Sequence, residues 1–252
     1  MTPITDPSHL DKLIDRQMNS WELRRRLAAE GGEAAHRELA HLPEGPWITV
    51  SKQLGTDGIE IAHLVGDRLG WQTFDREILE TIARQSHSRE KLLSKMDERA
   101  AGLFDNLFAR WIAPEALSPS EYLRELTLVI FELGRQGRAV MVGRGANWLL
   151  DPRFGLRIRL VAPSEYRARR IAQVQGLEPA AAERAVREND AALAAFIRRT
   201  YRKDIHDPLG YDLILNVGHM TKSAVVETIL AALCVKVGAA GEKAGDAPST
   251  RK

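Results

Sequence analysis

A chain of 252 residues that is 44% hydrophobic can bury a full core, and suits one large α/β domain or a domain and a half. Its 36 basic and 34 acidic residues almost cancel, to a formal +2, which excludes a protein whose main work is coating a nucleic-acid backbone; any anion binding must come from local clusters. No apolar run nears the roughly 20 residues that cross a bilayer, and the opening MTPITDPSHLDK lacks the apolar stretch of a signal peptide, so the expected compartment is the cytoplasm, with neither membrane nor nucleic acid as partner.

In chain order, residues 7–41 are polar and helix-prone, with Leu10, Leu13, Ile14, Met18, Trp21, Leu23 and Leu27 at rough helical spacing. They predict one or two helices added before the main domain, a surface for a second copy or another protein. The prolines and glycine of Leu42-Pro-Glu-Gly-Pro-Trp break helix and place the domain's start at Trp47. Strands are expected at Trp47–Ser51, Gln72–Phe74, Ala139–Gly143, Leu156–Val161 and Asp212–Asn216. Four of these are apolar on both faces, as a doubly covered parallel strand requires. Helices are expected at Gly58–Leu69, Arg76–Gln85, Glu90–Arg99, Ser120–Gln136, Ser164–Gln175, Pro179–Arg202 and Thr221–Val237. Such alternation predicts a three-layer α/β/α sandwich around a mostly parallel sheet. Gly238 to Lys252 holds little to bury and reads as a disordered tail. The single cysteine, Cys234, lies in the apolar run VVETILAALCVKV and reads as a buried small hydrophobe.

The stretch ITVSKQLGTDGIEIAHLVGDRLG, Ile48 to Gly70, joins a buried strand to an amphipathic helix through a turn of small residues. In an open parallel sheet, ligands bind beyond the carboxyl ends of the strands. Gly55, Thr56, Asp57 and Gly58 stand there, where backbone N–H groups and the positive end of the helix suit a phosphate. The Walker pattern G-x-x-x-x-G-K-[ST] would read Gln53-Leu-Gly-Thr-Asp-Gly58-Ile59-Glu60, which keeps only the second glycine and puts Ile59 in the lysine's place. Further on, AVMVGRGANWLLDPRFGLRIRLVAPSEYRARRIAQ gives a strand ending in Gly143-Arg144-Gly145, then another strand, then a helix with Arg167, Arg169 and Arg170. Gly143-Arg-Gly145 lacks the third glycine of a dinucleotide fingerprint, which disfavours a Rossmann dehydrogenase. His206 and His219 have no metal-spaced partner.

Taken together, SKQLGTDGIEIA, FDREIL, VGRGANWLL, VAPSEYRARRI and YDLILN resemble, in order and spacing, the cytidylate kinase-like family of P-loop nucleoside monophosphate kinases, over about Ile48 to Val237. The resemblance implies a P-loop kinase-like domain over 47–237 after an extension over 1–46, with an acceptor-side insertion at about 76–118 and a lid at about 188–208. It also implies ATP and Mg²⁺ as cofactors, and a nucleoside monophosphate (CMP- or dCMP-like) or another small phosphate acceptor as partner. Gly55, Thr56, Asp57 and Gly58 then surround the donor phosphates, with Arg170 beside them. Arg144 grips the acceptor phosphate and Asp75 lies near the acceptor. Arg198, Arg199, Arg202 and Lys203 close as the lid, followed by Asp204 and Asp207.

Arginine fits these posts because its planar fork binds two phosphate oxygens at once. Other readings stay open: Arg167, Arg169 and Arg170 as a solvated helix face, the lid cations as a response to the helix dipole, and Asp75 as the cap of the next helix.

The chain departs from the family pattern in three places. Where members carry an arginine in a turn like G-S-G-G-R-E, this turn is G-T-D-G-I-E; Leu193 replaces a lid arginine, and Gly145 replaces an aspartate that helps to choose the base. Lys52, or Arg199 or Arg202 from the lid, could replace the lost cation, and Glu60 could meet Mg²⁺ through its carboxylate. Three functions therefore compete: a nucleotide kinase, a catalytically weakened nucleotide-binding module that senses a nucleotide or docks a partner, and a kinase of the same fold whose acceptor is not a nucleotide.

Overall fold

The computed structural model describes residues 45–84 and 121–245. The helices expected within 7–41 and at Glu90–Arg99 and the end of the tail lie outside the described residues. In chain order the elements are β1 (Trp47–Lys52), α1 (Gly58–Leu69), β2 (Gln72–Phe74), α2 (Arg76–Arg84), α3 (Glu121–Gln136), β3 (Ala139–Val142), α4 (Ala146–Leu149), β4 (Gly155–Val161), α5 (Ser164–Gln175), α6 (Pro179–Tyr201), β5 (Leu213–Asn216) and α7 (Lys222–Gly245).

These residues fall into two compact units, one containing Phe74–Gly137 and the other Pro46–Thr73 with Arg138 onward. In the first, α2 and α3 pack through Ile78, Leu79 and Ala83 and through Leu126, Val129, Ile130 and Leu133. The fully buried Glu132 accepts hydrogen bonds there from Arg135 at 2.7 Å and Gln136 at 2.5 Å, so its charge is matched within one helical turn.

The second unit carries the sheet, ordered β2-β3-β1-β4-β5. β1 runs parallel to both β3 and β4, and β4 parallel to β5. Every residue of β3 is buried, as is Trp47–Val50 in β1, because a central parallel strand is covered on both faces. β5 lies at the edge and leaves Ile214 exposed. On one face, Ile48, Val50, Ile158, Leu160 and Leu215 meet Ile61, Ala62 and Val65 of α1 and Val225, Val226, Ile229 and Leu233 of α7. Those helical positions recur at spacings of three and four, which put them on a single stripe.

Strand residues alternate sides, so Thr49, Ser51, Arg157 and Arg159 point to the other face, which is polar toward the strands' carboxyl ends. There α4 packs on β1, and the Trp148 ring fills the space where Gly210 has no side chain. The α/β/α sandwich expected from the alternation is therefore present.

Two local expectations are corrected, and one element is new. Cys234 is exposed, because it lies off the stripe of α7 that carries Ile229 and Leu233. α7 runs beyond Val237 to Gly245, so the first part of the stretch expected as a disordered tail is helical. Four-residue α4 was not foreseen, being too short to show a period.

Candidate functional site

Two glycine turns stand side by side at the carboxyl ends of the paired strands β1 and β3. The Gly143 N–H donates to the Val50 carbonyl at 2.9 Å and ties one turn to the base of the other. In the first turn Gly55 has φ +84, and an added Cβ would lie 2.6 Å from the Arg167 carbonyl oxygen, so only glycine lets α5 approach. Buried Thr56 donates to the Gln53 carbonyl at 2.8 Å and closes the turn. Gly58 opens α1, and a Cβ there would lie 2.8 Å from Lys52 Cβ, so the lysine's stem crosses the turn.

Asp57 holds the N-cap position of α1, yet its side chain makes no capping hydrogen bond, and its backbone is left-handed at φ 54. An aspartate at this position ordinarily accepts from the helix's first free N–H groups. Here the carboxylate turns away, accepts from Arg170 Nε at 2.9 and 3.0 Å, and lies 3.2 Å from Lys222 Nζ. Burial alone would push the Asp57 carboxyl up, but the hydrogen bonds and charges of Arg170 and Lys222 outweigh it and hold the group below its usual range. Lys222 also donates to Glu60 at 2.5 Å, the chief cause of an ammonium pKa above the usual lysine value. Ile59 is 41% exposed and brings no charge to this group.

In the second turn Gly143, Arg144 and Gly145 all have positive φ, at 81, 53 and 71°. The Arg144 carbonyl accepts from Tyr201 Oη at 2.6 Å, and its guanidinium lies 5.5 Å from the Phe196 ring centre, a cation–π contact. Both aromatic residues belong to α6. A Cβ on Gly145 would lie 2.1 Å from Tyr201 Cε2, so Tyr201 occupies the space of any side chain at 145.

The remaining expected residues are spread wider. Arg198 and Arg199 are exposed in the last turn of α6, and Arg202 ends that helix in a left-handed cap whose N–H bonds to the Arg198 carbonyl. Lys203 Nζ stands 5.9 Å from the Trp148 ring. Asp204 and Asp207 accept backbone N–H bonds from His206 and Leu209, both at 2.9 Å, and so shape the loop after α6. Asp75 lies in the other unit, where its carboxylate accepts from the Ile78 N–H at 3.0 Å and caps α2.

The arginines of α5 divide. Arg169 is exposed, Arg170 meets Asp57, and Arg167 is buried, forked onto Asp190 of α6 at 3.0 and 2.8 Å while donating to the Ala162 carbonyl at 3.0 Å.

Sequence reading missed Lys222 and Arg159. Lys222 stands at the start of α7, where the helix dipole disfavours a cation, and that misfit is the signal a sequence offers. Arg159, 4% exposed, donates to Ser51 Oγ at 2.6 Å and lies 5.7 Å from the Tyr211 ring centre. Burial lowers its pKa, while neighbouring Tyr211 and Asp190 oppose the shift. An arginine among strand residues looks like a solvent-facing position until the neighbouring elements are known.

Residues 47–219 match the cytidylate kinase-like family. The chain belongs to that family. Curated cytidylate kinases share this likeness at modest identity, 29% over 114 residues for the protein of Ignicoccus hospitalis and 31% over 122 residues for that of Pyrococcus horikoshii. These stretches are 45% and 48% of this chain, and 66% and 63% of those proteins. A crystal structure of an uncharacterized protein from Eubacterium ventriosum superposes with a TM-score of 0.61 at 14% identity, over 76% of this chain and 99% of that one, a likeness of fold. Family membership accords with the α/β P-loop kinase-like fold described above. No described helix is long and apolar enough to cross a membrane.

Proposed function

We propose that this cytidylate kinase-like protein is a phosphotransferase that moves the γ-phosphate of ATP to a nucleoside monophosphate of the CMP or dCMP type. The observation that carries the reading is the tied pair of turns, one able to hold donor phosphates and the other carrying Arg144. Phosphoryl transfer asks chiefly for alignment and charge neutralisation. The backbone N–H groups of Gly55–Gly58 and the amino end of α1 would hold the donor, with Lys52 and Arg170 alongside. Arg144 would fix the acceptor phosphate, its aim set by the left-handed backbone and the Tyr201 hydrogen bond. Arg198 and Arg202 would close over the moving group.

Mg²⁺ would neutralise β- and γ-oxygens. Glu60, whose carboxylate accepts from Lys222 in this structure, would hold it once that ammonium moves away, and the described residues hold no group of three or more metal-ligating side chains beside it. Asp204 would face the acceptor. The base-choosing aspartate of the family has no room at 145 beside Tyr201, so selection among bases falls to other residues.

The second reading is a nucleotide-binding module without turnover, docking a copy of itself or another protein through residues before Trp47. Ile59 favours it, as do the ion pairs that already engage Arg170 and Lys222. ADP release measured across CMP, dCMP, UMP, AMP and GMP, beside calorimetric ATP binding, separates the two. Turnover with one acceptor that falls at least about a hundredfold in Arg144→Ala supports the kinase. ATP binding with no turnover on any acceptor leaves the module.

A further inference from the structure

The turn at Gly55–Gly58 is followed by the uncharged Ile59, and the structure holds a lysine from far along the chain at the same turn. Lys222 Nζ lies 3.2 Å from Asp57 and 2.5 Å from Glu60, residues that flank Ile59. Two features set this apart from an ordinary surface ion pair. Lys222 opens α7, where the dipole repels a cation, so the helix itself gives no reason for the charge. Asp57 forgoes the helix cap that its place offers and directs its carboxylate to Lys222 and Arg170 instead, from a left-handed backbone that favours glycine. Two carboxylates and two cations thus balance at the mouth of a backbone cradle, with Asp57 in the role of an internal anion.

We propose that Lys222 is the phosphate-binding cation of this protein, replacing in space the charge missing at Ile59, and that Asp57 and Glu60 hold Lys222 and Arg170 until phosphate oxygens take their place. The assignment rests on the nucleotide-binding reading above. It also names the ligand class, a polyphosphate chain, because two cations beside the amino end of α1 match several adjacent phosphate oxygens. Asp57 competes with the ligand, so wild-type binding is weaker than the cradle allows.

The test is calorimetric titration of the full chain with ATP and with inorganic tripolyphosphate. Lys222→Met should weaken both by roughly tenfold or more, the factor expected for one charge-assisted contact. Lys222→Arg should keep affinity near wild type. Asp57→Gly should tighten binding several-fold, since it removes the competing carboxylate and relieves the positive φ. Adding Ile59→Arg to Lys222→Met should recover most of the loss, which no merely structural role of Lys222 explains. Wild-type binding that persists undiminished in Lys222→Met would overturn the assignment while leaving the nucleotide reading intact, as would Asp57→Gly binding more weakly than wild type. Absence of binding at millimolar ligand in wild type, Asp57→Gly and the Ile59→Arg double variant alike would overturn the nucleotide reading itself, and the assignment with it.

Discussion

At the scale of single residues, the second turn depends on one contact between bare backbone and an aromatic ring. Gly145→Ala would force a left-handed φ on alanine and drive its Cβ into Tyr201, at a cost of about 1–3 kcal/mol in chemical denaturation. Tyr201→Phe keeps the ring and loses only the hydrogen bond to Arg144, so about 0.5–1.5 kcal/mol is expected, together with a looser Arg144 that on the proposed kinase reading shows as a higher KM for the acceptor. Cys234, exposed on α7, should react fully with a thiol reagent in the native protein, where a buried cysteine would wait for denaturant.

The contrast between Arg144 and Lys222 shows what residue order can reveal. Arg144 stands between two glycines at a strand's carboxyl end, so its place in the cradle is local and readable. Lys222 reaches Asp57 from the other end of the domain, across the packing of α7 on α1, and no spacing rule records that meeting.

At the scale of elements, the fork of Arg167 on Asp190 joins α5 to α6, the helix that bears Arg198 and Arg199. Asp190→Asn would leave a guanidinium that is 6% exposed without its counter-charge, at a cost of roughly 3 kcal/mol, the low end for broken buried pairs because Asp190 itself is 28% exposed. Thermal unfolding of Arg167→Met, Asp190→Asn and the double variant should show the double losing less than the sum of the singles. Sequence patterns recover such helices well, since α1 and α5 match their expected limits and α6 differs by its last residue. What the pattern hides is the polarity of a covered face. Arg167 reads as a solvated position on α5, yet it is buried because α6 packs over it.

At the scale of the whole molecule, several carboxylates have lowered pKa values. Burial pushes Asp57 and Asp212 up, but the hydrogen bonds of Arg170 and Lys222 to the first, and of Arg157 and Lys236 to the second, prevail; Asp151 is lowered chiefly by its hydrogen bond from Arg153. A carboxyl held below its unfolded value of 3.8 contributes stability that is present above that pH and disappears as pH falls through the folded value. The melting temperature should therefore change little on these groups' account between pH 7 and 5 and fall steeply below about 4, and Asp212→Asn should flatten that acid limb.

The sandwich was legible because strands covered on both faces are apolar runs and helices are periodic. The candidate site is legible only where glycine marks a turn.

The hydrogen bond from Gly143 to Val50 has a consequence for size selection. It fastens the bases of the two turns at the separation of neighbouring strands, about 4.8 Å, so the turns cannot part there without breaking that bond. On the kinase reading proposed above, donor and acceptor would have to fit that spacing, and whatever adjustment a bulkier acceptor needs would come from the chain beyond Phe196. Hydrogen exchange reads this directly: the Gly143 amide should stay protected whether the protein is empty or saturated, while the amides after Tyr201 slow on saturation.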